Sequence, residues 1–292
     1  MKLSVFTVAT PELGPDELAA AAKAAGLEGI EWRYTEVPAE VANQPHSYWG
    51  NNICTIRPSG GEAELARFKA AAERHGVQSI SVTPYLKAGD LEATEQVLRA
   101  AKTLGASYIR LGVPGYDRSQ PFEELFALER AYLRDSAALC AKYGVKGLIE
   151  IHHNTIAPTA SAARRLLEGI DPAHVGALLD PGNMVHEGFE NYKMALEILG
   201  PYLAHVHVKN AGWEPGERSA DGSVAWRSKW EPIEQGMVPW RQVIADLVAV
   251  GYDGYLGVED FSGKFANSPD MLTFFSEYIG GIVRELQGNV HV

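Results

Sequence analysis

The sequence predicts an α/β protein, a single (β/α)₈ TIM barrel with long loops after its second and seventh strands. Short apolar or β-branched runs alternate about eight times with Ala- and Leu-rich stretches of helical periodicity along the 292 residues. Several predicted helices end at a glycine just before the next strand, an arrangement typical of a parallel sheet with helical connections. Eight such units favour closure into one barrel, so we expect a single domain over residues 1–292.

The eight predicted strands are short runs dominated by apolar and β-branched residues: Leu3–Val8, Gly29–Tyr34, Ser79–Pro84, Tyr108–Gly112, Gly147–His152, Val175–Asp180, Ala204–Lys209 and Gly254–Glu259. The eight predicted helices repeat their apolar residues every three or four positions: Pro15–Ala25, Glu62–His75, Leu91–Leu104, Pro121–Tyr143, Ala160–Glu168, Tyr192–Leu199, Trp240–Val250 and Met271–Gln287. The glycines that suit left-handed caps at helix ends are Gly26, Gly76, Gly105, Gly144 and Gly251. A doubly wound open sheet is the alternative architecture, and it usually carries a Gly-rich phosphate loop after its first strand. The segment TVATPELG at that point lacks this pattern, which favours the barrel.

The composition is that of an ordinary globular chain with a net charge of −11. This acidic balance disfavours a nucleic-acid partner and an anionic membrane surface, because both are bound through clustered Lys and Arg. Of the two cysteines, Cys54 and Cys140, neither belongs to a CxxC pair, and Cys140 falls in a helical run as a small core residue. The N-terminus lacks a signal-peptide pattern and no apolar stretch reaches about 18 residues, so we expect a cytoplasmic protein.

Two of the connections that follow strands are long, Thr35–Gly61 and Asn210–Val238. Both would lie at the carboxyl end of the barrel, where long loops are usually lids or binding segments. Their aromatic rings can stack on the apolar faces of a sugar, and an indole can also donate a hydrogen bond. We therefore expect both connections to cover the barrel mouth and to contact substrate. The residues of the second connection that we expect there are Trp213, Arg218, Trp226 and Trp230.

Polar side chains that can bind metals or move protons occur at the ends of the last four predicted strands. They are Glu150 and His152 after the fifth, Asp180 and Asn183 after the sixth, His205, His207 and Lys209 in the seventh, and Glu259 after the eighth. Each one alone is more often a helix cap, a loop carboxylate or a hydrogen-bonded core residue than part of a site. Their occurrence at four successive strand ends favours a common site, because the carboxyl ends of successive barrel strands converge on one mouth.

Three carboxylates brought together without a cation would repel one another and lose solvation. A divalent ion relieves this cost, and two Glu, one Asp and one His form an oxygen-rich set suited to Mn²⁺, Mg²⁺, Co²⁺ or Zn²⁺. The sequence therefore predicts one divalent metal ion at the barrel mouth.

The segments LIEIHH, LLDPGNMV, HVHVKN and PWRQVIADLVAVGYDGYLGVE resemble the strand-end motifs of the sugar phosphate isomerase/epimerase (xylose isomerase-like) superfamily, in the same order and at similar spacing. The resemblance covers nearly the whole chain and implies that the metal is bound by Glu150, Asp180, His207 and Glu259. The sequence departs from the family pattern at Asn183, where the family commonly has a His that contacts substrate. Asn183 can donate a hydrogen bond but cannot titrate. The resemblance also gives a weak indication of homo-oligomerisation.

The chemistry that this site can support begins with proton abstraction next to a carbonyl. A metal chelated by substrate oxygens acidifies the adjacent C–H bond, and a carboxylate removes the proton to give an enediolate. We expect Glu150 and Glu259 to be the catalytic carboxylates, acting in a keto-sugar isomerase or epimerase. The other residues that we expect to contact the carbohydrate substrate are His152, Asn183, Lys209, Trp213 and Arg218.

Three alternatives remain. The same first step leads to β-elimination in a metal-dependent lyase or dehydratase acting on an inosose or a 3-keto-glycoside. A barrel without catalytic activity that only binds a ligand is disfavoured by the retention of all four ligand residues. A DNA-repair endonuclease of the same fold is disfavoured by the acidic balance and by the lack of a full three-zinc ligand set.

Overall fold

Eight parallel strands form a closed barrel in the computed structural model of the protein, which describes residues 1–288. These strands are β1 (Lys2–Phe6), β2 (Gly29–Tyr34), β4 (Gln78–Thr83), β5 (Tyr108–Arg110), β6 (Lys146–Glu150), β7 (Val175–Leu179), β8 (Leu203–Val208) and β11 (Tyr255–Val258). Around the barrel the order is β1, β11, β8, β7, β6, β5, β4 and β2, and β2 pairs again with β1. The predicted (β/α)₈ barrel is confirmed; the domain proposed over residues 1–292 includes 289–292, which lie outside the described residues.

The helices that cover the barrel are α1 (Pro15–Ala24), α2 (Gly61–His75), α3 (Leu91–Leu104), α4 (Phe122–Tyr143), α5 (Ala160–Leu167), α7 (Tyr192–Leu199), α8 (Trp240–Ala249) and α9 (Ser268–Gly288). They match the eight predicted helices to within a few residues at each end. One further helix, α6 (Pro181–His186), was not predicted. It has six residues, which is too short for a helical period to show in the sequence.

The glycines at the helix ends adopt the backbone conformation expected of them. Gly76, Gly105 and Gly144 follow α2, α3 and α4 with φ of 63°, 72° and 67°. These left-handed values favour glycine, and they let the chain leave the helix and turn into the next strand. Repetition of this turn keeps the strands parallel and directs their carboxyl ends to the same face.

The two long connections both contain regular structure. The first includes the short strand β3 (Thr55–Ile56), which pairs in parallel with β2. The second forms an antiparallel ribbon of β9 (Asn210–Arg218) and β10 (Val224–Glu231), which the sequence did not predict. Its first strand contains Pro215 and two glycines, which break the alternation by which strands are identified. The ribbon packs against α6, at the carboxyl end of the barrel.

Cys54 and Cys140 are both buried and free, which confirms Cys140 as a small core residue. Within residues 1–288, none of the helices has both the length and the apolar character needed to span a membrane.

A buried carboxylate lies in the helical layer, away from the barrel mouth. Glu129 of α4 has no exposed surface, and neither of its oxygens has a hydrogen-bond partner in the part of the chain that the structure describes. Burial raises the pKa of the Glu129 carboxyl from its ordinary value of 4.5 to about 8. The folded protein therefore holds a proton here that the unfolded chain releases near pH 4.5.

We predict that Glu129→Gln stabilises the protein at alkaline pH. Because the folded-state pKa is raised, the native state is favoured below about pH 4.5, and this contribution is lost as the pH rises to about 8. The difference between the two pKa values corresponds to at most about 5 kcal/mol. Urea unfolding of wild type and variant between pH 4.5 and pH 9 measures how the stability gap depends on pH.

The control for this experiment is Glu123→Gln, which neutralises an exposed carboxylate on the same helix. It should leave the pH dependence of stability close to that of wild type. A stability gap between wild type and Glu129→Gln that stays constant across this pH range would contradict the prediction.

Candidate active site

The four predicted metal ligands lie together at the carboxyl end of the barrel. Glu150 is the last residue of β6, Asp180 follows β7, His207 lies in β8, and Glu259 follows β11. One ligand atom from each residue lies within 4.8 Å of the others. All four side chains are buried. The convergence expected from successive strand ends is therefore present in the fold, and we refer to these four residues as the ligand cluster.

The imidazole of His207 is aimed at the three carboxylates. Its Nδ1 lies 3.7 Å from Glu150 Oε1, 3.7 Å from Asp180 Oδ2 and 3.6 Å from Glu259 Oε2. Among residues 1–288 this buried nitrogen has no hydrogen-bond partner. Donor atoms that share one ion at about 2.1 Å lie about 3–3.5 Å apart, close to these separations. The unpartnered nitrogen and the donor set therefore fit a divalent ion.

Asp180 is positioned by the start of the helix that follows it. Its Oδ1 accepts a hydrogen bond of 2.9 Å from the Asn183 backbone N–H and so caps α6, while Oδ2 faces the ligand cluster. Pro181 occupies the first helical turn, where its missing N–H has no consequence. The DPGN segment is thus a helix start that fixes one ligand.

Asn183 lies behind the ligand cluster, away from the open cavity. Its Nδ2 donates to Asp180 Oδ2 at 2.9 Å and to Glu150 Oε1 at 3.1 Å. The side chain is fully buried. The first turn of α6 directs Asn183 to the two carboxylates, and its contact with substrate stays a prediction.

Two cations contact the carboxylates of the ligand cluster. Arg110 Nη1 lies 2.7 Å from Glu150 Oε2, and Lys209 Nζ lies 2.7 Å from Asp180 Oδ2 and also pairs with Glu259. Burial would raise the pKa of Glu150, but the Arg110 charge holds that pKa well below its usual range. Burial would likewise lower the pKa of Lys209, but the two carboxylates raise it. Arg110 was missed from the sequence, although an arginine that ends an apolar strand is a recognisable signal.

Glu31 of β2 also belongs to this site and was not predicted. Its Oε2 lies 3.0 Å from His205 Nε2 and 3.3 Å from His207 Nε2. Burial would raise the pKa of the Glu31 carboxyl, but the charge of His207 and the hydrogen bond from His205 hold it well below its usual value. The one feature of the sequence that could have indicated Glu31 is that it is a single acidic residue within the strand sequence GIEWRY.

A cavity of about 540 Å³ opens beside the ligand cluster. Its polar lining residues include Glu150, Glu259, Arg110, His152, His153 and Lys209. Its aromatic lining residues are Phe6, Trp49, Tyr85, Trp230 and Phe261, together with the two histidines. Burial and the charge of His152 lower the pKa of His153 to about 4, so this imidazole is neutral at pH 7. The lining of the cavity thus combines charged groups with aromatic rings.

The predicted substrate contacts divide into two groups. His152 and Lys209 line the cavity, as does Trp230 from the second long connection. Trp213 lies outside the cavity, because its Nε1 donates to the Val185 carbonyl at 2.6 Å and attaches the ribbon to α6. Arg218 donates to the Gly222 carbonyl within the turn of the ribbon and does not line the cavity, and its substrate contact stays a prediction.

The pairing of the ribbon explains this division. Trp230 pairs with Ala211 at the base of the ribbon, next to the barrel, whereas Arg218 pairs with Val224 at its tip. Trp226, another predicted contact, is 59% exposed. From the first long connection, Trp49 lines the cavity, and its carbonyl accepts a hydrogen bond from Arg33 at 3.0 Å.

A sequence model of the family described as xylose isomerase-like TIM barrel matches residues 19–275. An inosose dehydratase of Geobacillus kaustophilus is 24% identical over 163 residues, which are 53% of this chain and 52% of that protein. The chain therefore spans about half the length of this curated relative.

Solved structures with the same fold cover almost the whole chain. An L-ribulose 3-epimerase superimposes with a TM-score of 0.73 and 16% identity, over 99% of this chain and 97% of its own. The IolI protein, crystallised with a binding zinc atom, superimposes with a TM-score of 0.71 and 17% identity, over 98% and 99% of the two chains. Similarity at this level of identity shows a shared fold.

We predict that the protein binds one divalent ion and that Asp180→Asn and His207→Ala weaken this binding strongly. Each change removes a donor from the ligand cluster, and excess Mn²⁺ should partly restore occupancy because the remaining donors are still in place. Metal content after dialysis, measured by mass spectrometry, and chelator competition test both statements.

The matched control is Arg218→Ala, which alters a polar residue of the ribbon turn and should leave the affinity unchanged. A wild-type protein that takes up no divalent ion, or a His207→Ala variant with wild-type affinity, would overturn the prediction.

Proposed function

Because the chain belongs to the xylose isomerase-like TIM-barrel family, we propose that it is a divalent-metal-dependent isomerase or epimerase of a keto-sugar. The reaction begins with removal of a proton from a carbon next to a carbonyl. The observation that carries the proposal is that Glu150 and Glu259 belong to the ligand cluster and also line the cavity. Two carboxylates are thereby available to the same substrate carbon.

The residues that would hold the ion are those of the ligand cluster, Glu150, Asp180, His207 and Glu259. When bound, the ion supplies Lewis-acid polarisation of the substrate carbonyl and so acidifies the adjacent C–H bond. This acidification matters because ligation weakens a carboxylate as a base.

Glu150 and Glu259 stand on well-separated strands of the barrel. Glu150 ends β6 and Glu259 follows β11, with β7 and β8 between them in the sheet. In an epimerase, one carboxylate removes the proton from one face of the carbon, and the other returns a proton to the opposite face. In an aldose–ketose isomerase, one carboxylate moves the proton between neighbouring carbons. Both reactions need a second carboxylate or water to complete the proton balance.

The remaining polar residues of the cavity have roles in holding the substrate. The Lys209 ammonium can donate a hydrogen bond to a substrate oxygen on which negative charge develops. His152 also lines the cavity and can bind a substrate hydroxyl or relay a proton. Arg110 keeps one Glu150 oxygen engaged at 2.7 Å, which leaves the other oxygen to face the cluster.

The aromatic rings that line the cavity support a carbohydrate substrate. Trp49 and Phe261 have ring centroids 4.7 Å apart, and Trp230 lies 5.8 Å from Phe261. The C–H faces of a sugar ring pack well against such rings, and the hydroxyl groups of the sugar can then reach the polar residues of the lining.

A second candidate is a dehydratase, and similarity to inosose dehydratases favours it. Its first step is the same proton abstraction, after which a hydroxyl on the next carbon leaves as water. That step needs a proton donor on the leaving-group side, for which His152 is available. Both candidates therefore share Glu150 and Glu259 and differ in the fate of the deprotonated substrate.

We predict that Glu150→Gln and Glu259→Gln each slow substrate proton exchange by about 10²–10⁴-fold, the usual contribution of a general base. Glutamine keeps the shape and one oxygen ligand, so metal binding should fall much less than the rate. Solvent-deuterium incorporation into ketoses, inososes and 3-keto-glycosides, with saturating Mn²⁺, measures the effect.

The products separate the two candidates. Retention of the carbon skeleton with a changed configuration or carbonyl position identifies the isomerase or epimerase, whereas loss of water identifies the dehydratase. Glu214→Gln, an exposed change on the ribbon, is the control and should exchange at the wild-type rate. If both cavity variants also exchange at that rate with metal saturating, the two-glutamate mechanism fails.

A further inference from the structure

Glu31 occupies a position that none of the roles above explains. It lies on β2, is only 2% exposed, and does not line the cavity. We propose that Glu31 is a positioning residue, which fixes the ring and the tautomer of His207 so that Nδ1 is presented to a metal ion. This inference rests on the metal site of the proposed function.

The Glu31 carboxylate is held in one orientation by three hydrogen-bond donors. Thr83 Oγ1 donates to Oε1 at 2.7 Å, and His205 Nε2 and His207 Nε2 lie 3.0 and 3.3 Å from Oε2. Thr83 comes from β4 and the two histidines from β8, so strands on both sides of the barrel interior set the position of this group. Glu31 is thus fixed before any ligand binds.

The direction of the hydrogen bond from His207 follows from the chemistry of the partner. An ionised carboxylate can only accept hydrogen bonds, so the proton must lie on Nε2 of His207. A histidine that binds a metal ion is neutral and has one N–H, so with the proton on Nε2 the Nδ1 atom would keep its lone pair. That lone pair points to the three carboxylates, 3.6–3.7 Å away. A carboxylate behind a metal-bound histidine orients the ring and makes it a stronger ligand.

Two neighbours restrict the rings further. Phe6 stacks on His207 with ring centroids 5.7 Å apart, and Tyr108 stacks on His205 at 6.3 Å. The ring plane of His207 is therefore set by packing, and Glu31 decides which nitrogen carries the proton. Packing alone permits either tautomer, so removal of the Glu31 charge should affect the metal without unfolding the barrel.

The experiment uses Glu31→Gln, which keeps the shape but removes the charge and introduces a donor. With Zn²⁺ alone as the probe, chelator competition should show an affinity about 10–100-fold lower than wild type. Thr83→Val, which removes the donor to Oε1, should lower the affinity less, in the same direction. The matched control is Glu129→Gln, which replaces another buried carboxyl group, in α4, and should leave the Zn²⁺ affinity unchanged.

A second measurement distinguishes positioning from a general structural effect. Nitrogen NMR of the histidine side chains in the Zn²⁺-loaded wild type should show His207 protonated on Nε2 and metal-bound through Nδ1. In Glu31→Gln the Nε2–H signal should broaden or be lost, whereas Glu129→Gln should keep the wild-type spectrum.

The outcomes separate this inference from the proposed function. Wild-type protein that does not bind Zn²⁺ overturns both. Wild-type binding with unchanged affinity and an unchanged His207 spectrum in Glu31→Gln overturns the role of Glu31 and leaves the proposed function intact. Should Glu31→Gln fail to fold, a Thr83→Val variant with wild-type affinity and spectrum overturns the inference as well.

Discussion

The structure depends on the confinement of three carboxylates, Glu150, Asp180 and Glu259, in one buried cluster. Like charges at this separation, removed from water, are strongly unfavourable unless positive charge is supplied. The chain surrounds them with Arg110 and Lys209 and with one imidazole, and the remaining open coordination fits a divalent ion. The folding of the barrel offsets the free-energy cost of desolvating the three carboxylates. Its strands hold the three groups from different directions, and none can move into solvent.

Several residues have both a structural and a chemical part in this arrangement. Asp180 caps α6 with one oxygen and faces the cluster with the other, so the start of that helix and the position of the ligand are the same feature. Asn183 joins Asp180 to Glu150 through its amide. Glu31 extends the arrangement inward by three hydrogen bonds. The site is therefore continuous with the barrel interior and does not depend on mobile surface loops for its geometry.

The sequence predicted those features that repeat or that come directly after strands. The βα alternation gave the barrel, and ligands at the strand ends required only that the barrel close. Glu31 was not predicted because a charged residue inside a strand has no periodic signature, and its histidine partners come from a strand distant in sequence. The positions of Trp213 and Arg218 outside the cavity could not be predicted, because they depend on the pairing of a ribbon whose glycines and proline interrupt the strand pattern. The register in which two strands pair cannot be predicted from the sequence of either strand alone, whereas the periodicity of a helix or strand can.

Lys209 contacts both carboxylates and aromatic rings of the site. Its Nζ contacts Asp180 and Glu259, and it lies 4.9 Å from the Trp230 ring centroid and 5.5 Å from that of Phe261. A substrate oxygen that binds Lys209 therefore brings the sugar ring against the aromatic rings, which restricts the face that it turns to the carboxylates. The first proton transfer is then common to epimerisation and elimination. What separates the two reactions is the group facing the next carbon, because elimination needs a donor there and epimerisation needs none.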